Sequence, residues 1–134
     1  METINHESYV SLNVAKLLKK EGFDWRVISY YRNGNDRIHF GEEPIDWNRQ
    51  HSQLTIANDY SAPTLEVAQR WLREVKNIRL FVEGGNEYYT VESYIHYKNY
   101  WCHTGMCHNG LEYERFNTYE EALETGIKKC LEIV

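Results

Sequence analysis

Tyr60-Ser-Ala-Pro-Thr-Leu-Glu-Val-Ala-Gln-Arg-Trp-Leu-Arg-Glu-Val-Lys-Asn-Ile78-Arg-Leu-Phe-Val82 changes its hydrophobic period midway, and that change decides the fold class. Up to Val75 the apolar residues Leu65, Ala68, Leu72 and Val75 recur at intervals of three and four, with Val67 and Trp71 widening the stripe. From Ile78 onward the apolar positions alternate with period two, as in a half-buried strand. A helix running straight into a strand predicts an α+β arrangement. Ser61 is expected to cap the helix, with Pro63 in its first turn and Tyr60 stapled onto Leu65. Glu66, Arg70, Arg73 and Glu74 fall on the polar side, where Glu66–Arg70 and Arg70–Glu74 have pairing distance along the helix.

Downstream, Gly84-Gly85-Asn86 predicts a turn into a strand over residues 88–97. A polar, cysteine-bearing stretch follows, and Asn109-Gly110 turns the chain into a strand over 111–116. Thr118-Tyr-Glu-Glu121 reads as a capping box for a last helix. Its inner face is Ala122, Leu123, Gly126, Ile127, Cys130, Leu131 and Val134, with Gly126 permitting close approach to a sheet. Upstream, Ser11 caps a first helix striped by Val14, Ala15, Leu17 and Leu18. Gly22 is placed for a left-handed ending, and Phe23 for packing back on Leu18. A strand over 25–32 puts Trp25, Val27 and Tyr31 on one face and Arg26, Ile28, Tyr30 and Arg32 on the other. Asn33-Gly34 then turns into a short strand over 37–40. Residues 41–60 lack periodicity and are expected to be a loop, functional or poorly ordered, with one short strand at 54–56. The predicted fold is a single α+β domain over residues 1–134. It has a mainly antiparallel sheet packed with three helices, in the order αββ–αβββα.

The chain has 134 residues, enough for one self-sufficient core without disulfides or metal. Its 42% hydrophobic and 26% charged residues are a globular balance, not a disordered one. No apolar run reaches the length of a membrane span, and residues 1–10 lack the basic-then-apolar pattern of a signal peptide. With three cysteines, Cys102, Cys107 and Cys130, the expectation is reduced thiols in the cytoplasm and no membrane association. The net charge of −5 disfavours non-specific nucleic-acid binding, which depends on neutralising phosphates.

Three helical blocks carry a family resemblance. They are residues 11–25 (Ser-Leu-Asn-Val-Ala-Lys-Leu-Leu-Lys-Lys-Glu-Gly-Phe-Asp-Trp), residues 60–78 quoted above, and residues 118–133 (Thr-Tyr-Glu-Glu-Ala-Leu-Glu-Thr-Gly-Ile-Lys-Lys-Cys-Leu-Glu-Ile). Together they resemble a family of short proteins from Bacteroides-type gut bacteria and their phages and prophages. The resemblance implies a mobile-element origin. It brings no activity and no functional residue with it.

Chemistry-bearing clusters are sparse. Cys102, His103, Cys107 and His108 are four potential zinc ligands within seven residues. Adjacent ligands such as Cys102 and His103 rarely reach one tetrahedral ion, and no second Cys/His knuckle accompanies them, so no metal and no cofactor is expected. The same cysteines lack any short signature of a catalytic thiol. Glu120-Glu121 serve the helix start, and Gly84-Gly85-Asn86 lacks the Lys-Ser/Thr of a phosphate-binding loop. The distinctive feature is an excess of tyrosine, eleven in all, concentrated with Trp101 between residues 88 and 113. In an alternating strand one parity faces out, so some aromatics stay available to a partner. Tyr88, Tyr94 and Tyr100 are the expected contact patch. They are flanked by Glu83, Glu87, Glu92, Glu112 and Glu114, which suit a basic protein partner; self-association through the patch is included in the expectation. The alternative is nucleic-acid binding by a basic ridge of Arg70, Arg73, Lys76 and Arg79.

Overall fold

The computed structural model describes residues 8–32, 35–49, 58–85, 87–97, 100–103, 108–109 and 112–133. Helix α1 (Leu12–Lys20) is followed by β1 (Val27–Arg32), β2 (His39–Ile45) and β3 (Asp59–Ser61). Helix α2 (Leu65–Val75) leads into β4 (Ile78–Gly84), β5 (Tyr89–Tyr97) and β6 (Tyr100–His103). The short pair β7 (His108–Asn109) and β8 (Glu112–Tyr113) precedes α3 (Tyr119–Ile133). The sheets are ordered β2-β1-β3, β4-β5-β6 and β7-β8, and every pairing is antiparallel. The α+β class, with three helices on antiparallel sheets, is therefore as expected.

The order of elements is richer than αββ–αβββα. Strand β3 lies where a loop was expected, because Asp59, Tyr60 and Ser61 pair with Arg32, Tyr31 and Tyr30 of β1. That pairing holds Ser61 extended and delays the helix. The cap of α2 is Thr64, whose hydroxyl accepts from the Val67 N–H at 3.2 Å, and not Ser61. Ser61 instead accepts from the Trp47 N–H at 3.0 Å. Pro63 sits ahead of the helix, its carbonyl accepting from the Val10 N–H. The expected strand over 54–56 and the Asn33-Gly34 turn lie outside the described residues.

Two helix ends follow the sequence closely. Gly22 adopts φ 92°, and the Phe23 and Gly22 N–H groups donate to the Leu18 and Lys19 carbonyls, a complete Schellman ending for α1. Thr118 accepts from the Glu121 N–H at 3.0 Å at the start of α3.

One hydrophobic cluster joins all three helices to both three-stranded sheets. It runs from Val14, Ala15 and Leu18 through Tyr31, Leu65, Trp71 and Leu72 to Ile78, Leu80, Val91, Leu123 and Ile127. Helix α3 lies across β4 and β5 and also touches α1 and α2. Gly126 makes that approach possible: a Cβ there would stand 2.8 Å from Val91 Cγ2 and 3.0 Å from Leu80 Cδ2.

Candidate protein-contact face on the second sheet

The register of β4 against β5 sorts their side chains into two sets. Ile78↔Ile95, Leu80↔Ser93 and Val82↔Val91 share the face turned to α3, where Ile78, Val91 and Ser93 are fully buried. Arg79↔Tyr94, Phe81↔Glu92 and Glu83↔Thr90 share the opposite face. Phe81 is 41% exposed on that side. Its ring meets Tyr94 edge-on at 5.9 Å, and the Arg79 guanidinium lies 5.3 Å from its centroid. The Tyr94 hydroxyl donates to the Glu92 carboxylate at 3.3 Å. The charge of Glu92 holds the Tyr94 phenol above its ordinary pKa, with desolvation, that hydrogen bond and the charge of Glu83 adding to it.

At the β4–β5 turn the Gly85 N–H donates to the Tyr88 carbonyl, closing a hairpin of which Glu87 and Tyr88 form the return. An open depression of about 490 Å³ lies here, walled by Glu83, Glu87 and Glu92 with Tyr88 and Thr90. Phe116 is bridged to Tyr89 by two 2.8 Å backbone hydrogen bonds, which brings Arg115 over the Tyr88 ring at 4.5 Å. Aromatic rings, carboxylates and two guanidinium groups thus share one surface. It offers aromatic area with three carboxylates and two guanidinium groups around it, a composition suited to covering by a partner.

The expected patch residues are distributed as follows. Tyr88 and Tyr94 both belong to this outward set. Tyr100 is in β6 opposite Tyr97, and the residue opposite Tyr94 is His103. Three of the four cations of the alternative stand in different settings, and Arg73 is exposed in the last turn of α2. Arg70 is tied to Glu74 at 2.6 Å on the exposed side of α2, whereas Lys76 turns to Glu21 at 3.7 Å. Arg79 projects from the outward face of β4, away from the helices that cover Ile78 and Leu80.

A second aromatic group was not anticipated. On β1 and β2, Tyr30 stacks on Trp47 with centroids 3.9 Å apart and on His39 at 5.4 Å, and Arg32 lies over the same ring at 5.2 Å. Trp47 Nε1 donates to the Val27 carbonyl at 2.7 Å, and Gly41 leaves the space its ring fills, since a Cβ there would fall 2.6 Å from it. Tyr30 is consequently 9% exposed although it lies on the outer side of the sheet. The only hint in the sequence was a large aromatic inside a polar stretch close to a glycine.

Of the zinc-ligand candidates, Cys107 and the side chains of Cys102, His103 and His108 lie outside the described part of the structure. Among the described residues, no group of three or more His, Cys, Asp or Glu is placed to hold a metal ion. No described helix is long and apolar enough to cross a membrane. Comparison with protein-family models, with curated proteins and with solved structures gave no match.

Proposed function

We propose that this protein is a binding module for another protein, and that it holds a basic segment of that partner on the outward face of β4 and β5. The observation that carries this reading is the composition of that face: Phe81, Tyr88 and Tyr94 beside Glu83, Glu87 and Glu92, on the side of the sheet opposite the helices. Aromatic side chains offer large contact area at small entropic cost, and ringed carboxylates steer lysine and arginine toward them while repelling phosphate. The dispersal of Arg70, Lys76 and Arg79 onto different surfaces favours a protein partner over nucleic acid. In this reading the blocks resembling phage and prophage proteins put the partner in a phage or its bacterial host, in the cytoplasm.

The test is affinity capture from the native cell under nuclease treatment, followed by binding with the purified partner. The Tyr88→Ser, Tyr94→Ser double variant loses capture, and rising salt weakens the wild-type complex. Arg70→Ala with Arg73→Ala leaves capture intact. Capture that survives the tyrosine changes but fails without the arginines, or with nuclease, transfers the function to nucleic-acid binding.

A further inference from the structure

Strand β4 is an outer strand of its sheet, and its hydrogen bonds to β5 fix which of its backbone groups face the outer edge. The Gly85 N–H donates to Tyr88 O and the His96 N–H to Asn77 O, so the odd positions 77 and 85 face β5. Antiparallel ladders alternate, so Arg79, Phe81 and Glu83 also bond toward β5, and Ile78, Leu80, Val82 and Gly84 point their amides and carbonyls off the edge. The Leu80 carbonyl agrees: it accepts from Gln69 Nε2 of α2 at 2.9 Å. That side chain stands where a neighbouring strand would donate.

The other outer strands of the two main sheets carry features that discourage further pairing. β2 contains Glu42, Glu43 and Pro44 and a register shift opposite residues 27–29; β3 has three residues and β6 four. β4 has seven residues, an unbroken register and no proline. Among the described residues, the Gln69 side chain donates to this edge, and it covers one carbonyl.

The sequence of β4 is also complementary to itself. In an antiparallel pair of two copies centred on Phe81, Leu80 faces Val82, Ile78 faces Gly84, Arg79 faces Glu83 and Phe81 faces its own copy. The first two pairings are the ones that must exchange hydrogen bonds, and they fall on the residues whose groups point off the edge. The remaining two put opposite charges across from each other twice, on either side of an aromatic pair at the two-fold axis. Moving the centre by one residue in either direction separates Arg79 from Glu83. We propose that this chain self-associates through β4, with the β4 edge of one copy joined to that of a second to make a continuous six-stranded sheet, and with Gln69 withdrawing from Leu80 as the second copy arrives.

The experiment is sedimentation of the full chain over a concentration series, with amide hydrogen exchange at Val82 and Gly84. Wild type shows a monomer–dimer equilibrium, and both amides gain protection as the dimer fills. Arg79→Glu alone and Glu83→Arg alone each place like charges opposite one another twice and weaken the dimer by about tenfold or more. Both are solvent-side changes that leave the core intact. The double variant Arg79→Glu with Glu83→Arg restores the dimer, an outcome that a general loss of fold does not produce. Val82→Pro removes an edge amide that β5 does not use and abolishes association. Gln69→Ala, which uncovers the Leu80 carbonyl, strengthens it. A chain that stays monomeric at roughly millimolar concentration overturns the proposal. So does a dimer indifferent to the single charge changes and to Val82→Pro. Protection of Val82 appearing only with a heterologous partner assigns the edge to that partner's strand and likewise overturns self-pairing.

Discussion

The Tyr31 phenol donates to the Val10 carbonyl at 2.6 Å, in a site where the side chain is almost fully enclosed. Burial pushes its pKa up, and the charges of Glu124 and Asp36 add to the shift. A phenol raised above about 10 when folded keeps its proton while the unfolded chain loses its own. Its contribution to stability is complete below that pH and is lost as pH rises through the folded value. Tyr31→Phe is expected to cost about 1 kcal/mol at neutral pH, because one buried hydrogen bond disappears. It should also flatten the fall of the denaturation midpoint between neutral and strongly alkaline pH. An alkaline slope as steep as wild type would show that Tyr31 is not the group responsible. The neighbouring Tyr30 has the same side chain and a different fate: it turns to the other face and is enclosed by Trp47. Alternation in the sequence distinguishes the two directions. The ring that covers Tyr30 comes from a segment with no periodicity, whose one cue is a large aromatic, Trp47, in a polar stretch close to Gly41.

At the scale of elements, the three helices were legible because each carries an amphipathic period and a hydroxyl residue near its start, and α1 a terminating glycine as well. Strands β4 and β5 were legible because Ile78, Leu80, Val91 and Ile95 keep their alternation across the whole element, whereas β6 and β7 fall in the polar, cysteine-bearing stretch where no strand was expected. Strand β3 was hidden for a physical reason. Asp59, Tyr60 and Ser61 carry no alternating pattern, and the element exists because β1, nearly thirty residues earlier, offers an edge. The start of α2 shows the consequence of missing it. Both Ser61 and Thr64 have the chemistry of a cap, and local sequence cannot say which one the sheet has already taken. Thr64→Ala should therefore destabilise the protein by about 1 kcal/mol through loss of the Val67 N–H bond, as read from the chemical denaturation midpoint. Ser61→Ala should act through the 46–49 segment, changing Trp47 fluorescence, because its hydroxyl holds the Trp47 amide. If Thr64→Ala had no effect on stability, the helix would begin elsewhere. The candidate face was legible to the same degree as its strand. Parity placed Tyr88 and Tyr94 together on one side. Phe81 and the position of Arg115 depend on the β4 register and the Tyr89–Phe116 bridge, which are long-range facts.

For the molecule as a whole, the question is what makes two separate three-stranded sheets unfold together. They share no strand, and α3 ties the second sheet to α1, which packs on β3 of the first. It lies on β4 and β5, touches α1 and α2, and through Glu124 accepts from the Ser11 N–H at 2.7 Å at the start of α1. Leu123 and Ile127 are fully buried within the cluster that also contains Val14, Leu18 and Trp71. Removing side-chain volume from α3 should therefore be felt in both halves, whereas a tie local to one sheet would be felt in one. Leu123→Ala leaves a cavity, with an expected loss of about 2–5 kcal/mol. Two reporters can follow it: Trp47 fluorescence on the first sheet, where Trp47 is locked to Tyr30, and amide exchange at Val91 on the second. Coincident midpoints that move together in the variant are the expected result, since shared burial makes opening of one sheet expose the core of the other. A shift confined to Val91, with Trp47 unmoved, would mean that the first sheet holds its structure through β1, β2, β3 and α1 alone, and that α3 belongs energetically to the second half.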